Sequence, residues 1–161
     1  MISSEELKAF EFFSGFSDAQ LEKLVTVATQ ETYEAGTQMY KNGDPARAII
    51  LIQEGKAILV MDSYLGPHRP PMQVTVDVIA KGETMGWSAG VGPYIYTLGA
   101  LCIDRTKMLA LDAPGLRKLM DGDPTLGYLI MKATAKVISN RLNHTRIILV
   151  GERGLSTLTE Y

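Results

Sequence analysis

Cysteine is almost missing from this sequence, with Cys102 the only one in 161 residues. A single thiol excludes an internal disulfide framework and a cysteine-ligated iron–sulfur cluster, since such clusters take several thiolates. Cys102 closes the apolar run 97–102 and is expected to be a small buried hydrophobe. Histidine is nearly as scarce: His68 and His144 are the only two, too few for a histidine-rich metal centre. We therefore expect no metal and no cofactor. No window reaches the roughly 18 apolar residues of a membrane span. The first residues, Met1 to Phe10, carry acidic rather than basic flanks and no apolar stretch, unlike a secretory signal. The expectation is a cytoplasmic chain with no membrane partner. An excess of positive charge is lacking too. The 16 basic against 18 acidic residues leave a net charge of -2, which supplies no overall field for a polyanion such as DNA.

The composition itself is that of a globular protein, 46% hydrophobic and 21% charged. A chain of this length accommodates one sizeable core better than two marginal ones, so residues 1–161 are read as a single domain. Residues 1–30 read as N-terminal helices. Phe10, Phe12, Phe13 and Phe16 lead into Ser17 or Asp18, which can cap a helix whose apolar face is Leu21, Leu24, Val25 and Ala28. Residues 31–112 change texture, with short β-rich runs at about 31–33, 37–40, 48–54, 56–62, 72–79, 97–102 and 106–112. Gly36, Gly43, Gly55 and Gly82 fall between runs, where tight turns call for positive φ. Tyr64 to Pro71 is a proline-broken hairpin loop. Many short strands with regular turns predict a roll or sandwich.

Residues 113–150 read as C-terminal helices, started by Asp112 before Pro114 and by Asp123 before Pro124, and residues 151–161 as a tail. On the long helix Met131, Ala135, Ile138, Leu142, Thr145 and Leu149 recur at alternating four- and three-residue spacing, the pattern of a helix-pairing seam. Leu126, Ile130, Ala133 and Val137 form a second stripe that can pack on the roll. A parallel homodimer through the seam is expected. The basic residues of this helix, Lys132, Lys136, Arg141, Arg146 and Arg153, read as a solvated face.

The segment from Tyr33 to Ala57, with Gly36, the Gly43-Asp44 pair and Gly55 at fixed spacing, resembles the start of cyclic-nucleotide-binding domains. Gly82 and Gly86 follow where that family's phosphate-binding cassette begins. The resemblance spans about residues 10 to 150. It implies a mainly β fold, a double-stranded β-helix or jelly-roll-like β-roll with N-terminal helices and a long C-terminal helix, acting as a sensory or regulatory domain and not as an enzyme. In the family, a glutamate after the cassette glycine meets the ribose and an arginine pairs with the phosphate. Here Trp87 stands at the first position and Tyr96 at about the second. Hydrogen bonds to charged partners contribute about 1.5–3 kcal/mol each, so losing two weakens nucleotide binding by roughly two to four decades.

The candidate pocket residues are Gly86, Trp87, Ser88, Ala89, Tyr94, Tyr96 and Thr97, a set of hydroxyls and π faces suited to a neutral, aromatic or weakly polar ligand. The alternative is that Trp87, Tyr94 and Tyr96 fill the site, leaving a protein-interaction or scaffold subunit. The partner is an unspecified small ligand or protein. Gly86, Ser88 and Gly90 match the bare Gly-x-Ser-x-Gly spacing, but no parallel sheet or acid–histidine pair follows to make a nucleophile elbow. The family's DNA-binding members add a helix-turn-helix after the long helix. Eleven residues beyond Val150 do not supply one, so DNA binding by this chain alone is not expected.

Overall fold

In a computed structural model, residues 2–159 are described, with side chains through residue 154. The chain opens with α1 (Ser4–Lys8), a 3-10 turn at Glu11–Phe13 and α2 (Asp18–Val25). Both helices begin at capping boxes. The Ser3 and Ser17 hydroxyls accept from the amides of Glu6 and Gln20, whose side chains accept in return from the cap amides. Such boxes satisfy amide donors that have no partner within the helix. Phe12, Phe13 and Phe16 pack edge to face at 5.1 and 5.4 Å between ring centres.

Eight strands follow: β1 (Ala28–Tyr33), β2 (Gln38–Tyr40), β3 (Ala48–Glu54), β4 (Lys56–Ser63), β5 (Met72–Ala80), β6 (Thr84–Met85), β7 (Gly99–Cys102) and β8 (Thr106–Asp112). They form two antiparallel four-stranded sheets, ordered β1-β8-β3-β6 and β2-β7-β4-β5. Most connections pass from one sheet to the other, the winding of a β-roll. Ile49 to Ile52 and Met108 to Leu111 are buried without a break. Two buried faces explain why β3 and β8 read as continuous apolar runs and not as alternating ones. The turn between β3 and β4 needs Gly55. Its φ is +81°, and a Cβ there would lie 2.4 Å from the Arg105 carbonyl oxygen.

The second helical layer is α3 (Ala113–Gly122) and α4 (Pro124–Thr159). Asp112 and Asp123 cap them, accepting from the amides of Gly115 at 2.8 Å and Leu126 at 3.1 Å. Leu126 and Ile130 are fully buried, with Ala133 and Val137 packed against the core, so the second stripe of α4 faces the roll. Among the described residues no helix is long and apolar enough to cross a membrane.

Four boundaries differ from the sequence reading, one being the run 97–102, whose strand begins only at Gly99. Ala28 belongs to β1, paired with Leu111, and not to the preceding helix. The helix has ended at Val25, and the Thr26 hydroxyl bonds back to the Lys23 carbonyl at 2.6 Å. The two-residue β6, held by Ile50 and Leu51 of β3, was too short to show any alternation. Finally, α4 continues past Val150 to Thr159 where a tail was expected; Glu160 and Tyr161 lie outside the described residues.

Candidate functional site

The segment after β6 turns sharply. Gly86 has φ +77°, and a Cβ on it would come within 2.7 Å of the Ala48 carbonyl oxygen and 3.4 Å of the Tyr96 ring. The backbone contact and the positive φ both disfavour a side chain here, so glycine lets the backbone approach β3 closely. A 3-10 turn, Trp87–Gly90, follows with Ser88 and Ala89 buried. The chain then passes a cis peptide at Gly92-Pro93.

Tyr96 enters the roll at 4% exposure and stacks on Tyr40, ring centres 3.7 Å apart and planes inclined by 15°. Its hydroxyl donates to the Ala48 carbonyl at 3.0 Å and accepts from the Ala48 amide at 3.2 Å. Burial pushes both phenols above their ordinary pKa, so both are neutral. Tyr96 thus does the reverse of an arginine at this position. It ties the segment to β3 and is committed to protein partners, leaving no charge for a ligand.

The stack does not fill the site. A cavity of about 150 Å3 remains, lined by Gly86, Trp87, Ser88, Tyr96 and Thr97, by Leu59, Val76 and Asp77 of the β4–β5 hairpin, and by Arg141 and Thr145 of α4. Five of the seven sequence candidates therefore come together. Ala89 is buried behind the turn. Tyr94 turns away, its ring beneath the Arg117 guanidinium at 4.2 Å, while Arg117 also donates to the Ala89 carbonyl at 2.9 Å. That arginine makes α3 a brace for the turn.

The two charged lining residues, Asp77 and Arg141, were missed. Asp77 on β5 is only 9% exposed and accepts from its neighbour's amide, Val78, at 2.8 Å. Arg141 donates to Asp77 at 2.6 Å and to the Thr84 carbonyl at 3.1 Å. His144, one turn on, places Nδ1 3.3 Å from the other Asp77 oxygen. The reading of Arg141 as part of a solvated face is corrected: its side chain is 22% exposed and lines the cavity. Spacing on a helix cannot reveal a partner on a strand 64 residues away.

The expected seam divides as well. Met131, Leu142 and Leu149 stand 40%, 48% and 50% exposed, Ala135 is exposed and Ile138 half-buried, but Thr145 faces the cavity. A separate cleft of about 450 Å3 lies beyond the Tyr40–Tyr96 pair, bordered by Glu31, Asp44 and Arg47.

No family model matches the sequence, and no curated protein matches it. Among solved structures, a Geobacter metallireducens GS-15 protein described as cyclic nucleotide-binding shares 25% identity, with a TM-score of 0.78, over 88% of this chain and 99% of that one. The Thermus thermophilus catabolite activator protein is 21% identical, with a TM-score of 0.67, over 86% of this chain and 61% of that one. The regulatory domain of Toxoplasma gondii PKA, co-crystallised with cAMP, is 19% identical, with a TM-score of 0.64, over 82% of this chain and 48% of that one.

Proposed function

This chain has the cyclic-nucleotide-binding-domain fold of catabolite-activator-type sensor domains, and we propose that it is a non-catalytic regulatory module that senses a small ligand in the Trp87–Thr97 cavity without binding cyclic nucleotides in the usual way. The observation that carries this reading is the residual cavity itself. Tyr96 has taken the core position, yet about 150 Å3 stays open and is lined in part by Arg141 and Thr145 of α4. A scaffold subunit with a filled site would have no such space. The volume is below the roughly 300 Å3 at which ordinary ligand pockets begin, so the ligand is smaller than a nucleotide or enters as α4 moves. A ligand that prefers one position of α4 biases that helix, which is how occupancy becomes a signal.

The same helix is the output surface. Met131, Leu142 and Leu149 expose a seam suited to the α4 of a second copy, and in such a dimer a shift of α4 alters how two roll domains face each other. Sedimentation at equilibrium tests this part: the wild type is expected to be dimeric and Leu142→Arg monomeric. A wild-type monomer at tens of micromolar refutes it. Calorimetric titration with cAMP and cGMP tests the ligand part, with no micromolar binding expected. Micromolar affinity for either would overturn it. Mass spectrometry of small molecules retained by the native protein then identifies the occupant.

A further inference from the structure

The site's electrostatics are opposite to those of a phosphate pocket. Among the residues lining the cavity, Asp77 is the sole carboxylate and Arg141 the sole cation. The two are not equally fixed. Asp77 sits on a sheet strand, almost fully buried and oriented by the Val78 amide. Arg141 comes from α4 and is the last half-buried residue among those of the helix whose side chains are described: every residue from Leu142 to Gly154 is exposed. The charge fixed on the sheet is therefore negative, and both groups that meet it, the Arg141 guanidinium at 2.6 Å and the His144 imidazole at 3.3 Å, come from α4. The same cavity wall carries the aromatic residues Tyr40, Trp87 and Tyr96, and aromatic rings favour cations over anions. An anion entering here would be buried beside Asp77. A cation would replace one charge-assisted hydrogen bond with another.

We propose that the cavity takes a small organic cation, an alkyl amine or alkylguanidine, with Asp77 as its counter-ion, and that the ligand displaces Arg141 and so releases the distal half of α4. This rests on the sensor reading above and gives it a ligand class. The lodged guanidinium is the resident competitor. It keeps the buried carboxylate paired when no ligand is present, because an uncompensated buried charge is strongly unfavourable. The ligand's cationic head takes the place of the guanidinium, and its apolar body lies against Leu59, Val76 and Met85.

Trp87 is the only tryptophan and lines the cavity, so its emission reports binding directly. The full chain is titrated with agmatine and with cadaverine at constant ionic strength, and amide hydrogen exchange is followed over residues 141–150. The expected results are a saturable change in emission, faster exchange in that segment, at least tenfold weaker binding by Asp77→Asn, and at least tenfold tighter binding by Arg141→Gln, which removes the competitor. A purely structural Arg141 would give no tightening. If Asp77→Asn does not fold, the Arg141→Gln titration still decides. Absence of saturation by both cations in wild type and in Arg141→Gln overturns the proposal. Retention of a neutral or anionic molecule in the cavity also overturns it while leaving the sensor reading intact. A protein that retains nothing and responds to no small molecule refutes both.

Discussion

Replacing Tyr96 with phenylalanine removes one oxygen atom and keeps the ring, which isolates what the hydroxyl does at the place where a cassette arginine is missing. In the native chain that hydroxyl satisfies both polar groups of Ala48, at 3.0 and 3.2 Å, and the ring is 4% exposed. Each intramolecular hydrogen bond contributes about 1 kcal/mol net, and more where the abandoned partner stays buried. Two bonds lost together therefore give about 2–3 kcal/mol. For a chain of this size that corresponds to a fall in Tm of roughly 4–12 °C. The stack on Tyr40 survives in Tyr96→Phe, whereas Tyr96→Leu loses it as well, for about 0.5–1.5 kcal/mol more. Urea unfolding followed by far-UV circular dichroism measures both. Tyr94→Phe is the matched control: Tyr94 is 42% exposed, and its change should stay within about 0.5 kcal/mol. If Tyr96→Phe is as silent as the control, Tyr96 is not the bond between this segment and β3, and the account of why the arginine is absent fails.

Arg141→Ala should cost about 2–3 kcal/mol, between the values for exposed and fully buried pairs, because it leaves Asp77 without its closest cation; restored stability in the double variant with Asp77→Leu would confirm the pairing, and an unaffected single variant would contradict it. Thr134 is 1% exposed and its hydroxyl has no hydrogen-bond partner, so the near-isosteric Thr134→Val should raise stability by about 1 kcal/mol in urea titrations. A loss would mean the hydroxyl is satisfied. The Lys23 ammonium, 2.7 Å away, and the Leu126 amide hold the Asp123 carboxyl below its ordinary value of 3.8. The folded pKa is the lower one, so this contribution is complete above about pH 4 and vanishes as the pH falls through the depressed value. Acid titrations of the wild type and Lys23→Gln should diverge above pH 4 and converge below it. Cys102 is fully buried and its thiol is pushed up by burial, so a disulfide reagent should label it only on unfolding.

What the sequence made legible follows from how local each signal is. β3 and β8 were placed to the residue because unbroken apolar runs bounded by turn residues have few other readings. The starts of α3 and α4 were legible because Asp-x-Pro and Asp-Pro carry the cap and the first helical residue side by side. The glycine pattern reached the fold, and Gly86 marked the site, since a close approach of two backbones demands a residue with no Cβ. By contrast, β6 has two residues, too few for any period, and β1 was cut short because Ala28 continued a helical spacing that the pairing with β8 overrides.

The charged half of the site was illegible for a different reason. Asp77 occupies a strand of alternating apolar residues where a carboxylate reads as outward-facing, and Arg141 sits in a helix with four other spaced cations. Either residue alone has an ordinary explanation, and only the tertiary fold joins them at 2.6 Å. That joining changes the reading of the substituted cassette. With Tyr96 in the cassette the cavity still carries charged groups, because Arg141 arrives from α4 and meets Asp77 of β5. The absence of a cation in the cassette and the presence of a carboxylate across the cavity are consistent with each other: Asp77 is met by the Val78 amide from its own strand and by Arg141 and His144 from α4, so the groups that complete the buried carboxylate reach it from the helix and not from the cassette.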